Sequence, residues 1–177
     1  MAARDILPFS SALGGHSHVL SVLMDATANF DHGDVVVVST NGDVVEAADE
    51  QSFAAVVGGI AAVASQSVAN TRSSDGLLAT AAANGEQIQF YGFDDLTEFV
   101  TQNLETADTA GPFGEAPTAA MVGDVGSLRV GSGVWGLCTN ASSSNLEFII
   151  TRVLDSQFED VTKSGGTGVY VVFKKLA

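Results

Sequence analysis

The sequence holds few basic residues: 7 Lys and Arg stand against 21 Asp and Glu, for a formal net charge of −14. A surface this acidic repels phosphate backbones and anionic lipid heads, because those contacts depend on basic side chains. Nucleic acid and membrane are therefore not expected partners. Cysteine is nearly absent too. Cys138 is the single one, so no disulfide can form within the chain, and any stapling must come from packing or from neighbouring subunits. No apolar run approaches the roughly 20 residues of a membrane helix. The richest stretch, residues 53–64, is alanine-heavy and broken by Gly58-Gly59. The first five residues lack the long apolar run of a signal peptide, so synthesis and folding in a cytoplasm are expected. Proline is scarce, with three residues in the chain.

What remains is a composition for β-structure. Hydrophobic residues make up 46% and charged residues 16%, enough for a sizeable core and unlike a disordered protein. Nineteen glycines, with many Val, Thr and Ser, suggest short strands joined by tight turns. A chain of 177 residues suits one β-rich domain. Residues 1–18, small and polar with Gly14-Gly15, read as an N-terminal arm. Residues 19–177 read as a single β-rich domain, divisible into lobes at 19–106 and 119–177.

Strands are expected at residues 19–24, 35–40 and 43–47. Asn41-Gly42 lies between the last two, and Asn-Gly between β-branched runs favours a type I′ hairpin turn with both central residues at positive φ. Residues 53–60 are ambiguous between strand and short helix. The paired glycines would weaken a helix, whereas in a strand they mark a bulge or a close backbone approach, so strand is preferred. Residues 65–76 form a loop. Residues 77–83, Asn84-Gly85 and residues 87–91 repeat the hairpin pattern, the second arm alternating Gln87, Gln89 with Ile88, Phe90.

One amphipathic helix is expected over residues 95–106. Leu96, Phe99, Val100 and Leu104 fall on one stripe at helical spacing, and Asp95 with Glu98 three residues on resembles a capping box. A loop follows at 107–118, then strands at 127–130, 134–139, 146–154 and 169–174. Their spacing favours a compact β-sandwich or barrel. Gly33-Asp34-Val35 and Gly123-Asp124-Val125 each open a strand-turn-strand stretch. A duplication would explain that echo.

Catalytic and cofactor motifs do not survive their context. Gly131-Ser132-Gly133-Val134-Trp135-Gly136 matches the dinucleotide fingerprint by letter, but that chemistry needs a helix N-terminus for the pyrophosphate, and the chain continues here as strand. Ser164 to Gly168 lacks the Gly-Lys-Ser/Thr ending of a P-loop. No nucleophile elbow is present, Cys138 reads as core, and the three histidines all precede residue 33. His16 and His18, two apart on an extended segment, share a face that His32, Asp31 and Asp34 could supplement as metal ligands, although such histidines are usually solvated. No enzyme activity, cofactor or metal is expected.

The stretch from Phe30 through Gly33-Asp34, the valine run, Asn41-Gly42 and Asp43-Val44-Val45, followed by Phe53 to Ala61 around Gly58-Gly59, resembles phage head decoration (cement) proteins. Gly133-Val134-Trp135-Gly136 and the run from Gly165 to Phe173 are similar in style to structural proteins of marine tailed phages. The resemblance implies a compact β-barrel or β-tulip on the outer capsid lattice, binding the major capsid protein, self-associating as a trimer or other small oligomer, and carrying no catalytic residues. The chain differs from small decoration proteins in its expected helix and long Ser/Gly/Pro loops. Virion assembly in a host cytoplasm would follow.

Candidate contacts are Phe9, His16 and His18 in the arm, Trp135, and Lys174 and Lys175. The arm can add as a strand to a neighbour's sheet edge. Trp135 can anchor an interface or fill the core, and the terminal lysines can dock on an acidic neighbour or remain solvated. A surface carbohydrate-binding or adhesin module is the alternative reading.

Overall fold

A computed structural model describes residues 6–11, 19–23, 30–62, 87–106, 113–139 and 145–177. The fold is mainly β, with two sheets packed as a sandwich. The strands are β1 (Leu7–Ser11), β2 (Val19–Leu23), β3 (Val35–Val38), β4 (Val44–Glu46), β5 (Gly58–Ala61), β6 (Gln87–Gly92), β7 (Thr97–Thr101), β8 (Leu104–Glu105), β9 (Val125–Gly131), β10 (Val134–Cys138), β11 (Phe148–Leu154) and β12 (Tyr170–Lys175). The first sheet runs β2-β6-β5-β3-β4 and the second β1-β7-β12-β11-β9-β10-β8. They remain two sheets rather than a closed barrel.

The two sheets repeat one pattern. Neighbours in the run β2-β6-β5-β3-β4 are all antiparallel, as are those in β7-β12-β11-β9-β10. Chain order maps one run onto the other, with β1 and β8 added at the two edges of the second sheet. The Gly-Asp echo sits at equivalent places. Gly33 N donates to Ala61 O and Ala61 N to Asp34 O, both at 2.9 Å; Gly123 N donates to Ile150 O and Ile150 N to Asp124 O, also at 2.9 Å. Each glycine ends a turn in the left-handed region, at φ 95° and 97°, so two residues face one across the ladder and the strand is launched by a glycine bulge. The two five-strand runs thus share one strand order and one bulged launch.

A common core joins the sheets. Val35, Phe53 and Ile60 from the first half pack with Phe99, Trp135, Phe148 and Phe173 from the second. Phe93 meets the rings of Phe53, Phe99 and Phe148 edge-on at 4.9–5.2 Å, the geometry the ring quadrupole favours. Gly58 and Gly59 allow this packing, as expected for strand glycines. A Cβ on Gly58 would stand 2.3 Å from the Phe53 ring, and one on Gly59 2.2 Å from Tyr91 O.

Three expectations are corrected. Residues 95–106 are not a helix but β7 and β8. Asp94 Oδ1, rather than a capping box at Asp95, accepts the amides of Leu96 and Thr97 at 2.9 and 2.5 Å, turning the chain into a strand. β7 lies between β1 and β12 in the sheet, and apolar side chains are buried on both of its faces: Phe99 enters the main core while Val100 packs with Leu154 and Val172 on the other side. Apolar side chains at adjacent positions on opposite faces of a strand mimic part of a helical stripe. Secondly, Leu7–Ser11 is not irregular arm but an edge strand paired with β7, with Pro8 beside a bulge, where a residue lacking N–H is tolerated. Thirdly, the β3–β4 turn is not type I′: only Gly42 has positive φ, at 86°, closing a three-residue loop with Gly42 N donating to Ser39 O at 3.0 Å. The two-residue turn with both φ positive is Ser132-Gly133, between β9 and β10. Residues 12–18, 63–86 and 107–112 of the expected arm, hairpin and loops lie outside the described residues.

Candidate functional site

Two exposed apolar features lie at opposite ends of the second sheet. The first is built by the segment leading from β4 to β5. Asp49 Oδ1 accepts the amide of Val130 at 2.9 Å, Glu50 N donates to Leu128 O at 3.1 Å, and Asn145 Nδ2 donates to Glu50 O at 2.7 Å. Arg129 adds charge to this belt, 3.7 Å from Asp49, 3.5 Å from Glu50 and 3.7 Å from Glu105. Burial works against the guanidinium charge, but hydrogen bonding to Cys138 and the nearby carboxylates of Asp49 and Glu105 outweigh it and raise its pKa. Glu147 then takes the Ser52 hydroxyl at 2.5 Å and the Phe53 amide at 2.7 Å, and Lys175 Nζ donates to Phe53 O at 2.8 Å. With Phe53 anchored in the core, Ala54, Ala55, Val56 and Val57 are thrown outward, Val56 and Val57 at 38% and 52% exposure. Val38 N holds the far side through Val57 O at 2.8 Å. Beside it, Ala54, Leu146, Glu147, Lys175, Leu176 and Ala177 line an open cleft of about 320 Å³.

The second feature is at the other end of β11 and β12. Asp155 N donates to Glu159 O at 2.9 Å and Phe158 N to Asp155 O at 3.1 Å, while Asp155 Oδ1 accepts the amides of Gln157 and Glu159 at 2.7 and 2.9 Å. This is the turn that also joins β3 to β4, where Ser39 N donates to Asp43 O at 2.8 Å. There the left-handed position is Gly42; here it is Phe158, at φ 64°. A side chain in that region costs about 1–2 kcal/mol. The Phe158 ring is 52% exposed and stacks on Tyr170 at 4.6 Å and 14°, returning about 0.5–1.5 kcal/mol. Asp160 closes the turn; the Thr162 hydroxyl and amide donate to it and hold its carboxyl below the usual range.

The sequence-derived contacts fare unevenly. Trp135, at 1% exposure, is a core residue and cannot meet a partner without unfolding. Its Nε1 donates to Glu46 Oε1 at 3.4 Å. Phe9 is half-buried at the β1 bulge, with the Arg152 guanidinium 5.0 Å over its ring and Glu98 pairing that arginine. Lys175 borders the first apolar feature and Lys174 lies beside Asp95, but both ammonium groups already serve backbone carbonyls, Lys175 that of Phe53 at 2.8 Å and Lys174 that of Asp95 at 3.1 Å. His16 and His18 lie outside the described residues. Asp31 and Asp34 are buried in the turn before β3, where Asp34 Oδ2 accepts Asp31 N at 2.5 Å. Among the described residues no group of three or more His, Cys, Asp or Glu side chains is placed to hold a metal ion.

The dinucleotide-like glycines form the β9–β10 hairpin, and Gly136 lets Asn103 O approach to where a Cβ would stand 2.6 Å away. Cys138 is buried. Sequence reasoning missed both exposed features. Residues 54–57 were absorbed into an expected strand, and Phe158 was overlooked although it is a lone aromatic in a polar turn.

No family model, curated protein or solved structure matches the chain. The likeness to phage decoration proteins therefore stands on the residues quoted for it alone. Among the described residues no helix is long and apolar enough to cross a membrane.

Proposed function

We propose that this protein is a phage capsid decoration protein, acting without catalysis by bridging subunits on the outer capsid surface. The observation that supports this reading is the pair of exposed apolar features at opposite ends of β11 and β12, one at residues 54–57 and the other at Phe158. β11 is seven residues long, so the features are separated by about 20 Å. A cement needs two separate contacts on a stiff body, because two modest contacts made together resist separation better than either alone. Here the body is a shared phenylalanine core, and both apolar elements are fixed by hydrogen bonds before any partner arrives, which lowers the ordering cost of binding. The net charge of −14 keeps such a protein soluble until it meets its partner. Self-association on the lattice, through the same contacts, belongs to this reading.

The test is co-sedimentation with empty tailed-phage capsids lacking decoration. The reading expects saturable binding, weakened at least about tenfold by the paired substitution Val56→Ser and Val57→Ser. That change sits in an exposed loop and should leave thermal unfolding nearly unchanged. Absence of binding, or equal binding by the variant, contradicts it. The carbohydrate-binding alternative draws on the Phe158–Tyr170 stack but loses Trp135 as an exposed platform.

A further inference from the structure

We infer that the Phe158–Tyr170 stack is a docking platform for an arginine side chain of a partner protein; on the decoration reading, on which the identity of that partner rests, the arginine belongs to the capsid protein. The first ground is the turn itself. The same hydrogen-bond scheme is met twice among the described residues, once with Gly42 and once with Phe158 in the left-handed position. Glycine is the unstrained choice there, so a half-exposed phenylalanine is held against the local backbone preference. Strain of this kind concentrates where a side chain must be presented.

The second ground is what the ring presents. Tyr170 covers one face of Phe158 and is itself seated on the buried cluster of Val100, Leu154 and Val172. The platform is thus fixed from below and open above. Around it the turn supplies Asp155, Glu159 and Asp160, of which Glu159 and Asp160 are exposed. An electron-rich ring face beside carboxylates is complementary to a planar cation, which stacks on the ring while its N–H groups reach the acids. The chain uses this chemistry on itself: Arg152 lies 5.0 Å over the Phe9 ring while Glu98 pairs with it. At Phe158 the charges of Arg152 and Lys163 already act on Asp160, so Glu159 is the exposed carboxylate beside the ring that a partner's arginine would meet. Guanidinium is favoured over ammonium because it is planar and less strongly hydrated.

Titration of the full-length protein with a capped Gly-Arg-Gly peptide, followed by the ring-proton resonances of Phe158 and Tyr170, tests the platform. Capped Gly-Lys-Gly and methyl β-glucoside serve as comparisons. The expected result is a saturable shift with the arginine peptide, weaker with lysine and absent with the glucoside. It should be lost in Phe158→Gly, a variant that suits the turn and stays folded. Unmoved ring resonances, a response to the glucoside instead, or an arginine response undiminished in Phe158→Gly each overturn it. Capsid co-sedimentation of the same variant separates the two proposals. A wild-type protein that takes the arginine peptide but no capsid keeps the platform and removes the decoration reading. Capsid binding undiminished in Phe158→Gly removes the platform as the docking site and leaves capsid binding to the end at residues 54–57, without the second contact at Phe158.

Discussion

The amide of Phe53 donates to Glu147 Oε2 at 2.7 Å, joining residues 94 apart in the chain. Through that one carboxylate, which also takes the Ser52 hydroxyl, the connection leaving the first sheet is tied to the start of β11 in the second. Glu147→Ala leaves both donors without their acceptor in a partly buried site. A loss of about 2 kcal/mol is expected, since hydrogen bonds to charged groups are among the stronger ones. For a domain of this size that is a fall of about 4–8 °C in Tm. Amide hydrogen exchange at Phe53 should accelerate more than exchange at Phe173, and equal acceleration at both would mean that the tie is not local.

Two glycines separate conformational from steric demands. Gly42 has φ 86° with nothing near its missing Cβ, so Gly42→Ala should cost about 1 kcal/mol. Gly59 needs no unusual φ, but its Cβ would stand 2.2 Å from Tyr91 O, so Gly59→Ala must part β5 from β6 and should cost about 3 kcal/mol or more. Urea unfolding of both variants gives the ratio, and a milder Gly59 variant would contradict the β5–β6 pairing.

Glu46 makes stability depend on pH. Partial desolvation of the carboxyl beside Trp135, and then the charges of Asp34 and Asp31, push it above the usual range, against the pull of the Trp135 N–H. The folded state therefore holds this proton more tightly than the unfolded chain, and this group's contribution to stability falls as pH rises from about 4.3 through the raised folded value. Glu46→Gln keeps an acceptor for Trp135 and removes the charge. It should raise Tm at neutral pH and leave it unchanged below about pH 4. A variant less stable than wild type at neutral pH would contradict the sign.

Trp135 reports on the core rather than on any partner. At 1% exposure its fluorescence should be blue-shifted and poorly quenched by iodide, and it should stay so when a partner binds. Partner-induced quenching would mean that the sandwich opens on binding.

Much of the fold was legible because turn residues carry their own geometry. Gly-Asp at 33–34 and 123–124, Asn41-Gly42 and Ser132-Gly133 all sit at turns, and the β-branched runs beside them are strands. The failures have one physical source. A strand covered on both faces places apolar side chains at adjacent positions, as Phe99 and Val100 do, and adjacency read without its neighbours mimics part of a helical stripe. The contact surfaces were hidden for a related reason. Whether Val57 or Trp135 faces water depends on hydrogen bonds reaching across most of the chain, such as Glu147 to Phe53, and no local pattern encodes them. Phe158 was different: its placement follows from a five-residue turn whose likeness to residues 39–43 becomes apparent only through backbone hydrogen bonds.

Bridging of the capsid, as proposed, should strengthen it. The direct measurement is the temperature at which undecorated tailed-phage capsids rupture, with and without saturating amounts of the full-length protein. A higher rupture temperature is expected with wild-type protein, and a smaller rise with Val56→Ser/Val57→Ser. An unchanged rupture temperature under saturating wild-type protein would contradict it.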